Sequence, residues 1–139
     1  MDLLDVLSRL NYWAVLTAAL SAFLIGGAWY SPVLFAKRWM AANRLAEADL
    51  KRGNTTFIFG GSFALALISA LAMAMFIGPS SSLSFGVTAG ALVGLCWVGT
   101  SFGITYLFER KPFILFLINA GYHIVMFTVM GIILGLWHR

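Results

Sequence analysis

Charge is scarce in this chain. Only 10% of its 139 residues are Asp, Glu, Lys or Arg, whereas about 25% of the residues in ordinary soluble domains are charged. The chain has one cysteine, Cys96, so it cannot form an intramolecular disulfide. Its long apolar runs contain no Asp, Glu, Lys or Arg. That absence excludes a carboxylate-based hydrolase and most proton-coupled antiporters, since both need a carboxylate within the membrane.

Hydrophobic residues make up 61% of the chain. Four long apolar runs cover residues 11–30, 55–77, 83–108 and 112–137. A helix needs about 20 residues to cross the hydrocarbon core of a bilayer, so each run predicts one transmembrane helix. Because these spans use most of the length, we predict an all-α polytopic membrane protein with four spans and a single domain, 1–139.

The first run is predicted to be a retained span rather than a cleaved signal peptide. It is about 20 residues long, whereas the apolar region of a signal peptide has roughly 7–15. It ends in Trp29-Tyr30-Ser31-Pro32, which has no small-residue cleavage pattern.

Basic residues predict the orientation. The first connection carries Lys37, Arg38, Arg44, Lys51 and Arg52, the third carries Arg110 and Lys111, and the opposite side has only Arg9 and Arg139. Because cytoplasmic loops are enriched in Lys and Arg, we predict a bacterial cytoplasmic (inner) membrane protein with both termini in the periplasm. The same placement explains the formal net charge of +4 without a nucleic-acid partner.

The first connection is long enough to form structure of its own. Helical spacing gives it an apolar face of Phe35, Trp39, Ala42 and Leu45, and a basic face of Lys37, Ala41, Arg44, Ala48 and Lys51. Two interpretations stay open. The segment is either an amphipathic helix on the anionic inner leaflet, or a basic loop that only retains the orientation.

Small residues recur along the predicted spans. The third run contains Gly86, Gly90, Gly94, Gly99 and Gly103. Lipid tails provide no hydrophobic drive for helices to associate, so small side chains that let two backbones approach are typical of helix interfaces. Packing within the bundle is the default expectation. The third run has more small positions than one neighbour would use, and this favours a homo-oligomer.

Few polar side chains lie deep in the predicted spans. Counting from the inner boundary places Ser62, Ser101 and Asn119 at one depth. His123 follows about 11 residues after Pro112, so at ~1.5 Å per residue it is roughly 16 Å deep, near the midplane. The candidate polar cavity comprises Ser62, Ser101, Asn119, Tyr122 and His123.

His123 allows two interpretations. It is either a group that titrates or binds a ligand in a cavity, since His changes charge near neutral pH, or a neutral ring that ties helices together. One His and one Cys, with no carboxylate at the same depth, are too few for a metal site. Catalytic motifs are missing, so we predict neither an enzyme nor a cofactor. A haem would need His123 alone, or His123 from two copies.

Two segments carry a resemblance to a known family. The first is Trp29-Tyr30-Ser31-Pro32-Val33-Leu34-Phe35-Ala36-Lys37-Arg38-Trp39, and the second joins Tyr106-Leu107-Phe108-Glu109-Arg110-Lys111-Pro112 to the stretch 116–123. The chain resembles small bacterial four-helix membrane proteins grouped only as a domain of unknown function. The resemblance implies four spans over nearly the whole chain and no activity. Its inner-face motif is Trp29, Tyr30, Ser31, Pro32, Lys37, Trp39, Glu109 and Arg110.

Three functions stay open. The first is homo-oligomeric transport or permeation of a small solute or ion, through a cavity that opens inward. The second is a non-catalytic accessory protein that docks on a partner or on the anionic inner leaflet through its basic face. The third and most distant is a haem-binding redox protein that uses His123. A cavity that reaches Asn119 and His123 would favour the first function over the second.

Overall fold

The computed structural model describes residues 2–137, and within that range the chain is helical without strands. Four helices are long and apolar enough to cross a membrane: α2 (Tyr12–Trp29), α5 (Thr55–Ile77), a third span (Leu83–Glu109) and α8 (Phe113–Leu136). The third span consists of α6 (Leu83–Leu92), a π-helical segment (Val93–Gly99) and α7 (Thr100–Glu109). The predicted four-span, all-α fold is confirmed, and each predicted boundary lies within one residue of the observed one.

Three shorter helices lie outside the spans: α1 (Leu3–Arg9), α3 (Ala36–Asn43) and α4 (Glu47–Leu50). The apolar runs do not predict α1, which packs Val6 and Leu7 against the core. We call the end of the bundle that carries α3 and α4 the α3 end, and the opposite end, which carries α1, the α1 end. Arg139, which the orientation argument counts, lies outside the described residues.

Polar caps set where the spans begin. The side chain of Asn11 accepts hydrogen bonds from the backbone N–H groups of Trp13 and Ala14, at 3.1 and 3.2 Å. Asn54 caps α5 in the same way, through the N–H of Phe57 at 3.1 Å. These side chains satisfy N–H groups that have no partner within the helix. The apolar stretch therefore starts directly after each cap.

The first connection does not form one continuous amphipathic helix. One of the two interpretations of this segment is an amphipathic helix, but α3 spans only Ala36–Asn43 and is followed by Arg44, which adopts a left-handed conformation with φ of 55°. The N–H of Leu45 then bonds to the carbonyl of Met40 at 2.9 Å, which closes the helix end. A new helix, α4, then begins, and the carboxylate of Asp49 caps its start by accepting a hydrogen bond from the N–H of Ala46 at 2.8 Å. The basic and apolar faces are consequently divided between two short helices.

Most buried side chains lie in the half of the bundle nearer the α1 end. This core includes Ala14, Ala18 and Ala22 of α2, Ala70, Met73 and Ala74 of α5, and Met126, Met130 and Leu134 of α8. In the other half α8 still buries Leu115 and Ile118, but α7 and α3 bury no residue. The bundle is therefore tightly packed at one end and open at the other.

The glycines of the third span face α8 of the same chain. A Cβ on Gly86 would meet the carbonyl oxygen of Gly131, and a Cβ on Gly90 would meet that of Phe127. A Cβ on Gly94 would lie 2.7 Å from the Cα of Ile124. Gly99 and Gly103 also face α8, near Ala120 and Phe116. Because one neighbour within the chain uses all of these glycines, they do not support a homo-oligomer, which stays a prediction.

We expect Gly90→Ala to lower the free energy of unfolding by about 1–3 kcal/mol, because the added methyl group meets backbone that cannot move aside. Gly60→Ala is the matched control, since nothing lies within 4 Å of a Cβ at that position. Unfolding of both variants in mixed micelles with increasing SDS measures the difference. Equal loss of stability in the two variants would contradict the observed α6–α8 contact.

Candidate functional site

Two aromatic side chains at the end of α2 reach across the bundle to α8. The indole Nε1–H of Trp29 donates to the carbonyl oxygen of Ile118 at 2.9 Å. Its ring lies over Gly121, where a Cβ would come within 3.1 Å of the indole. The hydroxyl of Tyr30 donates to Oδ1 of Asn119 at 2.7 Å. The two segments that carry the family resemblance are therefore bound to each other.

A tight turn after Tyr30 brings α3 back against these rings. The N–H of Phe35 bonds to the carbonyl of Trp29 at 3.1 Å, and Pro32 lies within the turn. The ring of Phe35 packs on Trp29 with centroids 4.9 Å apart, and Trp39 meets Tyr30 edge to face at 5.8 Å. Aromatic contacts of this kind add to simple burial. They hold α3 beside the part of α8 at the α3 end.

Asn119 joins three spans. Its Oδ1 accepts from Tyr30, and its Nδ2–H donates to the hydroxyl oxygen of Tyr106 at 2.7 Å. Its backbone carbonyl lies 2.8 Å from Nδ1 of His123. A carbonyl only accepts, so Nδ1 carries the proton and Nε2 is a free acceptor in the neutral ring. A single residue of α8 thereby fixes side chains from α2, α7 and α8.

An open cleft lies beside this network, at the α3 end. It has a volume of about 740 Å³, within the range of small-molecule pockets. Its polar lining residues are Tyr30, Ser62, Asn119 and His123. Its apolar walls include Trp39, Met40, Leu50, Ile58 and Phe102. Glu47 of α4 and Lys51, which follows that helix, are the charged residues of the lining. The cleft therefore separates α3 and α4 from the parts of α5, α7 and α8 at the α3 end.

The predicted polar cavity is divided by the structure. Ser62, Asn119 and His123 line the same cleft. Tyr122 instead ties α8 to α2, because its hydroxyl donates to the carbonyl of Ala22 at 2.9 Å. Ser101 lies in a separate groove of about 420 Å³ with Thr105 and Glu109. Its hydroxyl bonds to its own helix, at the carbonyl of Trp97.

The remaining residues of the inner-face motif lie around this site. The hydroxyl of Ser31 donates to the carbonyl of Ala28 at 2.7 Å, which stabilises the turn. Lys37 is exposed on α3, and Glu109 and Arg110 are exposed at the end of α7. Arg110 ends that helix with a left-handed φ of 55°. Within residues 2–137, the ion pairs join Arg9 to Asp5 and Arg52 to Asp49, and none involves Glu109.

Phe102 is the wall residue that the sequence reasoning missed. Its ring packs on the imidazole of His123 with centroids 4.9 Å apart and on the ring of Tyr106 at 5.5 Å. The spacing of Phe102 and Tyr106, four residues apart, places both rings on one helix face. That aromatic pair is the signal that could have identified this face of the third span, rather than the neighbouring face of Ser101. No three His, Cys, Asp or Glu side chains in the described part of the chain could hold a metal ion together.

The fold and the cleft define a four-span α-helical membrane protein with a cleft at one end. The family described as "Protein of unknown function (DUF1761)" matches residues 13–135, so the chain belongs to that family. This range contains both segments that carry the resemblance, and the predicted membership is confirmed. Neither a curated protein nor a solved structure matches the chain.

We expect Trp29→Phe to lower the free energy of unfolding by about 1 kcal/mol, because it removes the hydrogen bond between α2 and α8. Trp97→Phe is the matched control: that indole is 60% exposed and contacts Phe76 edge to face. SDS titration of the two variants, followed by circular dichroism, gives the comparison. If Trp97→Phe proves the more damaging change, the contact between the two motifs does not stabilise the fold.

Proposed function

We propose that this protein binds a small solute in the cleft and carries it across the membrane. The observation that supports this best is the asymmetry of the bundle. The cleft extends from the α3 end to Asn119 and His123, while the half nearer the α1 end is closed by alanine, methionine and glycine contacts. A site near the midplane that is open to one side only is the arrangement expected of one state in an alternating-access cycle.

The position of His123 supports this proposal. The residue lies 10 residues after Phe113, the first residue of α8, roughly 15 Å along the helix axis. Substrate sites of transporters lie near the bilayer midplane. Polar side chains at this depth are costly in lipid and mark binding sites or solute pathways. Asn119 and His123 are the polar groups that a solute would meet at the deep end of the cleft.

The third span contains the element that would move. Its first part, α6, is held against α8 by backbone contacts, whereas α7 buries no residue. The π-helical segment Val93–Gly99 joins the two parts. Such segments occur often at functional sites. We propose that α7 changes its angle at this segment, so that Phe102 and Tyr106 open or close the cleft.

The charge distribution supports an inward-facing cleft. All seven basic residues of the first and third connections are exposed at the α3 end: Lys37, Arg38, Arg44, Lys51, Arg52, Arg110 and Lys111. By the positive-inside rule this end is cytoplasmic, in the inner membrane of a bacterium. The solute would then enter the observed state from the cytoplasm.

The same exposed basic residues favour a second candidate, an accessory role. Lys37 and Arg38 on α3, with Lys51 and Arg52 near α4, present positive charge that would attract anionic lipid headgroups. In this alternative the cleft has no solute, and the protein docks on a partner or on the leaflet without catalysis. The accessibility of the cleft distinguishes the two roles.

We expect Ser62→Cys, in a Cys96→Ala background, to react with a membrane-impermeant maleimide added from the α3 side. Ser62 lies in the cleft, so a transport site would expose the thiol to water. Lys37→Cys should react as a surface standard. Ala74→Cys is the buried control, at 5% exposure in the core, and should not react from either side. Inside-out and right-side-out vesicles give the two directions.

The matched control for Ser62 is Ser101→Cys. Both serines are exposed and donate to a carbonyl of their own helix, but Ser101 lies outside the cleft. We expect the thiol at position 62 to react much faster than the one at position 101. An unreactive Ser62→Cys beside a reactive Lys37→Cys would reject the transport proposal and favour the accessory role. A Soret absorption band in the purified protein would instead favour the haem hypothesis.

A further inference from the structure

The deep end of the cleft has free hydrogen-bond acceptors, whereas most of its donors are already used. The hydroxyl of Tyr30 donates to Asn119, and the hydroxyl of Ser62 donates to the carbonyl of Ile58 at 2.6 Å. The proton on Nδ1 of His123 goes to the carbonyl of Asn119. Lone pairs remain on Nε2 of His123 and on the two hydroxyl oxygens. The amide of Asn119 keeps one hydrogen beyond the one that it donates to Tyr106.

His123 is held so that its free acceptor faces away from its own helix. The bond from Nδ1 to the carbonyl one turn earlier turns that edge of the ring towards the backbone of α8. The imidazole also packs between the rings of Phe102 and Tyr122, with centroids 4.9 and 4.8 Å away. Since His123 lines the cleft, Nε2 is the polar atom of this ring that a bound molecule can reach.

The charges around the cleft argue against an ionised ligand at its deep end. Glu47 and Lys51, the charged residues among those that line the cleft, both belong to the α4 segment at its mouth. The deep lining residues, Asn119 and His123, face the apolar wall of Phe102. A charged group placed beside them would be desolvated without an ionised partner, which is unfavourable.

We infer that the cleft selects an uncharged, mainly apolar aromatic alcohol that donates its hydroxyl proton to Nε2 of His123. Rings such as Trp39 and Phe102 favour a flat aromatic body through offset or edge-to-face contacts. Such a molecule would enter from the α3 end, where Lys51 and residues of α3 line the cleft. This inference rests on the proposed function and specifies its substrate class.

Binding of naphthol to the purified protein in lipid nanodiscs tests the inference. Equilibrium dialysis against protein-free nanodiscs corrects for partition into lipid. We expect saturable binding of naphthol, and binding about tenfold weaker for methoxynaphthalene, which keeps the rings but cannot donate. Naphthoate and naphthylmethylammonium supply the anionic and cationic forms of the same body, and both should bind more weakly than naphthol.

Two substitutions locate the bound molecule. His123→Leu removes the acceptor and should weaken naphthol binding about tenfold, while methoxynaphthalene changes little. Ser62→Leu fills the cleft from an exposed position of α5. It should block both compounds even if His123→Leu fails to fold. Ser101→Ala, in the separate groove, is the control and should bind naphthol as the unmodified chain does.

The outcomes separate this inference from the proposal on which it rests. If naphthol binds no better than methoxynaphthalene, if a charged analogue binds best, or if no naphthalene binds, the substrate class is wrong. A reactive Ser62→Cys would still support a solute cleft in each of those cases. Naphthol binding that survives both His123→Leu and Ser62→Leu would place the molecule elsewhere and overturn the site.

Discussion

The close contact between the third span and α8 is the interaction on which the rest of the structure depends. At the α1 end glycine meets backbone, as at Gly86 and Gly90, and the two helices come as near as their main chains allow. Towards the α3 end the spacers are aromatic: a Cβ on Gly103 would meet the ring of Phe116 at 3.2 Å. Between α8 and α2, a Cβ on Gly121 would likewise meet the indole of Trp29. Small contacts at one end and rings at the other make the bundle wedge-shaped. The cleft is the wide end of that wedge.

The aromatic residues at the wide end of the bundle also connect its helices. Trp29 and Tyr30 hold α2 to α8 through hydrogen bonds at Ile118 and Asn119, across 89 positions of the chain. In lipid an unpaired indole or hydroxyl has no water to bond, so these partners matter beyond their packing. Much of the two segments that carry the resemblance thus has a structural explanation. That explanation does not account for the Nε2 edge of the His123 ring, which takes no part in these hydrogen bonds.

Length and hydrophobicity were enough to predict the spans, because a bilayer requires about 20 apolar helical residues whatever their identity. Depth within a span could also be counted, and Ser62 and Asn119, which the count puts at one level, line the same cleft. Rotation could not be predicted, since successive helical residues point about 100° apart: Ser101 turned out of the cleft and its neighbour Phe102 turned in. The end of α3 at Arg44 could not be predicted either. The helical spacing of apolar residues continues past Arg44, although the backbone there is left-handed.

The π-helical segment corresponds to a change in the spacing of the glycines. Gly86, Gly90 and Gly94 follow one another at steps of four, the next step to Gly99 is five, and Gly103 restores the step of four. A π-helical turn bonds residue i to i+5, so the longer step is the one that keeps the stripe in phase with α8 where Val93–Gly99 widens the helix. A single irregular interval in an otherwise regular series therefore records where a helix changes its pitch. The spacing of the glycines thus contains information on helix geometry that the hydropathy profile does not contain.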